Sequence, residues 1–140
     1  MTEQMPTGAP DTGCATLWPW SYRVAGATSP WPAVELYEAG SLLDVVTSTR
    51  LTAQVLRGAR AVRSAAGARV LAWGRLPLCG GPVAVEFGRG TFRGDRLAVP
   101  PVRVTSWCWL AVADERYDRV TVRHGGTTTR RRLAVSRASC

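Results

Sequence analysis

The chain has 140 residues and a formal net charge of +8, and its residues are 46% apolar and 20% charged. These proportions are typical of globular proteins and exclude a chain that is disordered throughout. The length suits one independent core, so we predict a single α+β domain over residues 17–136, with a disordered tail at 1–16 and a short tail at 137–140.

The predicted domain begins with a β-hairpin. Residues 33–38 and 42–47 are apolar and β-branched runs, and Ala39, Gly40 and Ser41 between them are suited to a turn. Thr49 is then placed to cap a helix from about residue 50 to residue 66, which Gly67 would end.

On a helical wheel this segment is amphipathic, with a narrow apolar stripe and a basic opposite side. The stripe consists of Leu51, Val55, Ala59, Val62 and Ala66. The basic side consists of Arg50, Arg57, Arg60 and Arg63. We therefore predict one amphipathic helix with a basic solvent face.

From residue 69 onward the pattern indicates β-strands separated by turns rich in Gly, Pro and Asp. The predicted strands cover 70–76, 83–87, 96–104, 105–113, 119–124 and 127–135. Short connections favour antiparallel neighbours, so we predict a meander of about five strands after the helix.

The two strands around the loop 114–118 can be aligned symmetrically, which places Cys108 opposite His124 on the apolar face. The other face would carry indole rings and guanidinium groups together, continued through a two-residue turn at Gly125 and Gly126. Its members are Trp107, Trp109, Arg119, Arg123, Arg130 and Arg132. Arg131 falls on the apolar side, which requires a sheet edge or a bulge.

Stacking on tryptophan together with phosphate contacts by arginine is a general means of binding single-stranded nucleic acid. The alternative is that the helix covers these tryptophans as part of the core. In the first case this face and the basic helix, through Arg57, Arg60 and Arg63, form the predicted nucleic-acid contacts.

Charge and codon usage complicate that interpretation. All 18 positive side chains are arginines, and Lys, Ile and Asn do not occur, which indicates a very G+C-rich bacterial genome and makes part of the arginine excess compositional. Residues 1–44 carry five acids against Arg23, whereas residues 45–140 carry 17 arginines against five acids. The acidic front either neutralises the basic remainder or leaves it to an anionic partner.

Four cysteines, Cys14, Cys79, Cys108 and Cys140, form no Cys-x-x-Cys pair, so we expect free thiols, no metal and no cofactor. Neither a signal peptide nor an apolar run of membrane-spanning length is seen, and we expect a cytoplasmic protein without a membrane partner.

We therefore predict a small basic binding protein, not an enzyme, that contacts nucleic acid or another polyanion. One alternative is a protein interaction or assembly module with no nucleic-acid role, in which the acidic front of another copy, or an acidic protein partner, meets the basic remainder of the chain. The other is a cysteine-dependent enzyme that uses Cys108 and His124.

Overall fold

The structure is a computed structural model that describes residues 17–90 and 94–137. Over these residues the chain forms three β-sheets, together with a short 3₁₀ helix at Arg50–Thr52 and no helix of seven or more residues. None of the helical segments in this part of the chain has the length and apolar character needed to cross a bilayer. The predicted tail at 1–16 and all but Arg137 of the tail at 137–140 lie outside the described residues.

The chain divides into two compact units, residues 1–45 and 46–140. The first is built on a three-stranded sheet in the order β1 (Trp20–Ala25), β2 (Ala33–Glu38) and β3 (Ser41–Thr47). The last two residues of β3 belong to the second unit. The predicted hairpin is confirmed, since Ala39 and Gly40 both adopt positive φ, 48° and 86°, as a tight two-residue hairpin turn requires.

The second unit contains two sheets. Its strands are β4 (Gly58–Ser64), β5 (Gly67–Arg75), β6 (Ala84–Gly88), β7 (Arg96–Val99), β8 (Val102–Arg103), β9 (Cys108–Ala113), β10 (Arg119–His124), β11 (Thr127–Arg132) and β12 (Ala134–Arg137). A four-stranded sheet has the order β11-β10-β6-β7, and a five-stranded sheet has the order β12-β4-β5-β9-β8. The strand pairs are antiparallel except for β12 with β4, which is parallel.

One hydrophobic core joins these two sheets. The five-stranded sheet contributes Ala59, Ala61, Val70, Ala72, Trp109, Ala111 and Ala113, and the four-stranded sheet contributes Val85, Phe87, Val120 and Val122. Alternate residues of each strand supply these side chains, because neighbouring residues in a strand point to opposite faces. The second unit is therefore a β-sandwich.

The α+β prediction is wrong at its helix. Residues 58–64 form β4, and Gly58 lies opposite Trp73 on β5, where a Cβ atom would stand 2.3 Å from the indole ring. The missing side chain thus makes room for a tryptophan on the neighbouring strand. Of the two alanines in the predicted helical stripe, Ala59 is a core-facing residue of β4, whereas Ala66 lies exposed in the turn that follows this strand.

The predicted five-stranded meander is also wrong, because β9 and β10 lie in different sheets although they follow each other in the chain. β9 pairs with β5 and β8, whereas β10 pairs with β6 and β11. The loop 114–118 therefore connects the two layers of the sandwich instead of closing a hairpin.

A candidate anion-binding face

The β10–β11 hairpin has the predicted register. Gly125 and Gly126 form its two-residue turn with φ of 49° and 80°. Arg119 pairs with Arg132, Thr121 with Arg130, and Arg123 with Thr128. These residues alternate with the core residues Val120 and Val122, so their side chains share the outer face of the four-stranded sheet. The prediction that the four arginines lie on one face is confirmed.

Arg131, which the predicted register places on the apolar side of the sheet, lies on β11, an edge strand. Its Nη1 reaches over the edge and donates a hydrogen bond of 2.8 Å to the backbone oxygen of Arg57. An edge position lets the guanidinium leave the apolar side, as we expected for this residue.

Strands β6 and β7 extend the outer face. Gly88 pairs with Arg119 on one side and Arg96 on the other, and Glu86 pairs with Thr121. We call the resulting surface the arginine face, and it consists of Glu86, Gly88, Arg96, Arg119, Thr121, Arg123, Arg130 and Arg132.

The arginine face contains a small depression of about 50 Å³ that opens to solvent. Every residue of the face except Arg132 lines it. Gly88 contributes no side chain to the row between Arg96 and Arg119, and this leaves a hollow among the guanidinium groups. The depression is therefore polar and positively charged.

Four arginines and one carboxylate, Glu86, give the lining of the depression a formal charge of +3, and Arg132 beside it adds one more. None of the ion pairs formed among the described residues includes Arg96, Arg123, Arg130 or Arg132. The side chains of these four arginines are exposed. Most of the positive charge is thus open to a ligand from solvent.

Arg119 is more restrained than the other arginines of the face. Its Nη1 donates to the backbone oxygen of Gly90 and lies 3.5 Å from the Asp118 carboxylate. This guanidinium is half-buried, so it is held at the edge of the depression before any ligand arrives.

The two tryptophans predicted to share this face do not lie on it. Trp109 is fully buried in the core and donates from its indole nitrogen to the backbone oxygen of Val55 at 2.9 Å. Trp107 is half-buried and donates to the backbone oxygen of Val46 at 3.2 Å. The expected interleaving of indole and guanidinium groups is therefore wrong, because the strand that carries Trp109 belongs to the other sheet.

The arginines of the predicted helix do not form one surface either. Arg60 and Arg63 lie on β4 an odd number of residues apart, and so on opposite sides of the sheet. Arg57 precedes the strand and donates to the Gln54 side chain at 2.6 Å. A continuous basic stripe is lost with the helix.

The expected opposition of Cys108 and His124 is wrong as well. Cys108 is fully buried and pairs with Arg75 on β5, whereas His124 on β10 pairs with Thr127. The part of the chain that the structure describes has no group of three or more His, Cys, Asp or Glu residues that could hold a metal ion.

Comparisons with known proteins find no match: no protein family, curated protein or solved structure is significantly similar to this chain. The sequence prediction missed Arg96 and Glu86 as members of the face. Alternation within 83–87 places Glu86 opposite in orientation to Val85 and Phe87, but only the pairing of β6 with β10 brings it among the arginines.

Proposed function

We propose that this protein binds a nucleic acid by its phosphate groups, with the arginine face as the contact surface. The observation that carries the proposal is the set of four exposed arginines, outside any ion pair among the described residues, around one depression. Guanidinium groups suit this task because their planar fork can donate two parallel hydrogen bonds to phosphate oxygens.

The spread of the charges favours a polymer over a single small anion. Neighbouring strands lie about 4.8 Å apart and residues along a strand rise about 3.4 Å each. The Cα atoms of Arg119 and Arg123 on β10 are therefore about 13 Å apart, so their guanidinium groups can each face a different phosphate. A chain of phosphates can engage both.

The residues of the arginine face include no aromatic side chain on which a base could stack. The contacts available are therefore those that position a phosphate backbone, and they carry no direct sequence information. We expect binding that depends strongly on salt and weakly on base sequence. We expect the protein to be in the cytoplasm, where nucleic acid is an abundant polyanion.

The alternative, a protein assembly in which an acidic front meets this face, is less well supported by the first unit. Glu35 is engaged by Arg23 at 2.7 Å and by the Tyr37 hydroxyl at 2.7 Å. Glu38 accepts from the indole nitrogen of Trp20 at 2.9 Å. The Tyr37 and Arg23 hydrogen bonds also hold the pKa of the Glu35 carboxyl below its usual value. These acids already have local partners, which favours an external anion.

Fluorescence anisotropy with a labelled single-stranded oligonucleotide, titrated between about 50 and 200 mM salt, tests the proposal. Contact with about four phosphates would give a log–log slope of the association constant near −2.8, since each neutralised phosphate contributes about −0.7. The double variant Arg123→Gln/Arg130→Gln should bind more weakly and reduce the magnitude of the slope by about 1.4.

The matched control is Arg103→Gln, which removes one exposed arginine from β8 in the other sheet and should leave the slope unchanged. Chemical denaturation should place every variant within about 0.5 kcal/mol of the wild type, as expected for exposed side chains. Absence of binding at low salt, or equal losses in the control and the double variant, would contradict the proposal. Salt-sensitive self-association without oligonucleotide binding would support the assembly alternative.

A further inference from the structure

We infer that Glu86 selects the polymer: its carboxylate accepts a hydrogen bond from the ribose 2′-hydroxyl, so that the arginine face prefers RNA to DNA. This inference rests on the proposed function, which by itself requires only phosphate binding. It assigns a separate role to the one acidic residue in the lining of the depression.

Glu86 occupies a central place on the arginine face. It lies on β6 between Thr121 on β10 and Ala98 on β7. The next row of the face, two residues along β6, contains Gly88 between Arg96 and Arg119. A ligand whose phosphates reach the arginines must therefore pass over or beside this carboxylate.

The carboxylate oxygens of Glu86 are available to a ligand. Among the described residues Glu86 takes part in none of the ion pairs and in none of the side-chain hydrogen bonds. Its side chain is half-buried and lines the depression. An ionised carboxylate only accepts hydrogen bonds, so the group it suits is a donor.

A surface that bound phosphate alone would bind better without Glu86, because a negative side chain repels the ligand. The carboxylate is favourable only if the ligand brings a hydrogen-bond donor close to its phosphates. Beside it, Thr121 is 6% exposed and adds a neutral hydroxyl to the lining. Together the Glu86 carboxylate and the Thr121 hydroxyl form a site for a polar, uncharged group among the guanidinium groups of the lining.

The 2′-hydroxyl of ribose is such a donor, and it is the group by which a protein can distinguish RNA from DNA. The sugar is also the part of a nucleotide closest to the phosphates that the surrounding arginines would hold. Bases carry donors as well, but the face has no aromatic side chain to keep them in place. The geometry therefore favours contact with the sugar.

The test compares an oligouridine RNA with an oligodeoxyuridine DNA of equal length, which differ only at the sugar. We expect the wild type to bind the RNA about tenfold more tightly, the ratio that one hydrogen bond to a charged group supplies. Affinity is measured by anisotropy in the salt range used for the proposed function.

Two substitutions separate the charge of Glu86 from its hydrogen bond. Glu86→Gln removes the charge and keeps an acceptor, so both affinities should rise while a preference for RNA remains. Glu86→Met has a similar length and no strong acceptor, so the DNA affinity should rise and the preference should disappear. Asp114→Asn is the control, since it removes one exposed acid that pairs with Arg69 on the other sheet, and its RNA-to-DNA ratio should equal that of the wild type.

Equal affinity of the wild type for the two oligomers, or a preference that survives in Glu86→Met, would overturn the inference while leaving phosphate binding intact. A preference that follows the base when cytidine oligomers replace uridine oligomers, and not the sugar, would overturn it too. If neither oligomer binds, the proposed function itself fails, and the two failures are thus distinguishable.

Discussion

The two sheets of the sandwich use their outer faces differently. In the five-stranded sheet the last six residues of β5, from Val70 to Arg75, are all buried, so this strand is covered on both sides. In the four-stranded sheet β10 buries Val120 and Val122, while Arg123 and the neighbouring Arg130 are exposed. The comparison shows that exposure of a sheet face, more than the number of arginines, decides which arginines can bind a ligand.

Arg75 illustrates the contrast. It is 3% exposed, and its Nε lacks a hydrogen-bond partner among the described residues. Desolvation by burial lowers the pKa of its guanidinium, and the neighbouring Cys108 acts weakly in the opposite direction. The same residue type is thus a structural cost in one sheet and an accessible charge in the other.

The largest effect should come from Gly74→Ala in the five-stranded sheet. A Cβ atom at Gly74 would stand 1.6 Å from the backbone oxygen of Val55, so the backbone at Val55, which crosses over Gly74, would have to move. We expect a loss of more than about 4 kcal/mol in the free energy of unfolding, measured by urea denaturation.

The control for Gly74→Ala is Gly81→Ala, where the nearest atom would be the Cys79 sulfur at 3.5 Å, an ordinary contact. This variant should change the free energy of unfolding by no more than about 0.5 kcal/mol. Similar effects of the two substitutions would show that the close crossing at Gly74 is not important for stability.

A smaller loss should follow Trp109→Phe. The indole is fully buried and its nitrogen donates to Val55, so phenylalanine would leave a cavity and an unsatisfied backbone oxygen. We expect a cost of about 2 to 3 kcal/mol by urea denaturation. Trp31→Phe, at a 69% exposed position, should cost almost nothing. A neutral Trp109→Phe would mean that this tryptophan is not part of the core.

The smallest effect on stability, and one of opposite sign, should come from Arg75→Met. Methionine removes a buried charge and keeps much of the side-chain volume, so the free energy of unfolding should rise by about 1 kcal/mol. Arg123→Met on the exposed face should give no comparable gain, because that charge is already solvated. Destabilisation by Arg75→Met, measured by thermal unfolding, would contradict the claim that the buried charge of Arg75 costs stability.

The difference between the sheets also explains where sequence analysis succeeded. Along 119–124 the buried Val120 and Val122 alternate with polar residues of the outer face, so the position and orientation of this strand could be inferred. Strand β11 contains only Thr and Arg and has no such alternation. The Gly125–Gly126 turn fixed how the two strands meet. Four residues of the arginine face could therefore be identified before the structure.

Along 58–64 such alternation is absent, because β4 has buried residues on both faces. Alanine and arginine are good helix formers, and their spacing fits a helical wheel as well as a strand. Only tertiary packing, in particular Gly58 against Trp73, overrides that local preference. The pairing of β6 with β10 is likewise set by the whole sandwich, which is why Glu86 and Arg96 could not be assigned to the site.

The parallel pairing of β12 with β4 has a consequence for how the protein acquires its fold. Ala134 aligns with Arg60, 134 − 60 = 74 positions earlier in the sequence, so this ladder closes the longest loop between paired strands in the described region. Because closing a loop of that length costs conformational entropy, we expect the docking of β12 to come late in refolding. Until it docks, β4 presents unpaired backbone groups, and the nascent sandwich is open to misassembly with other chains along that border.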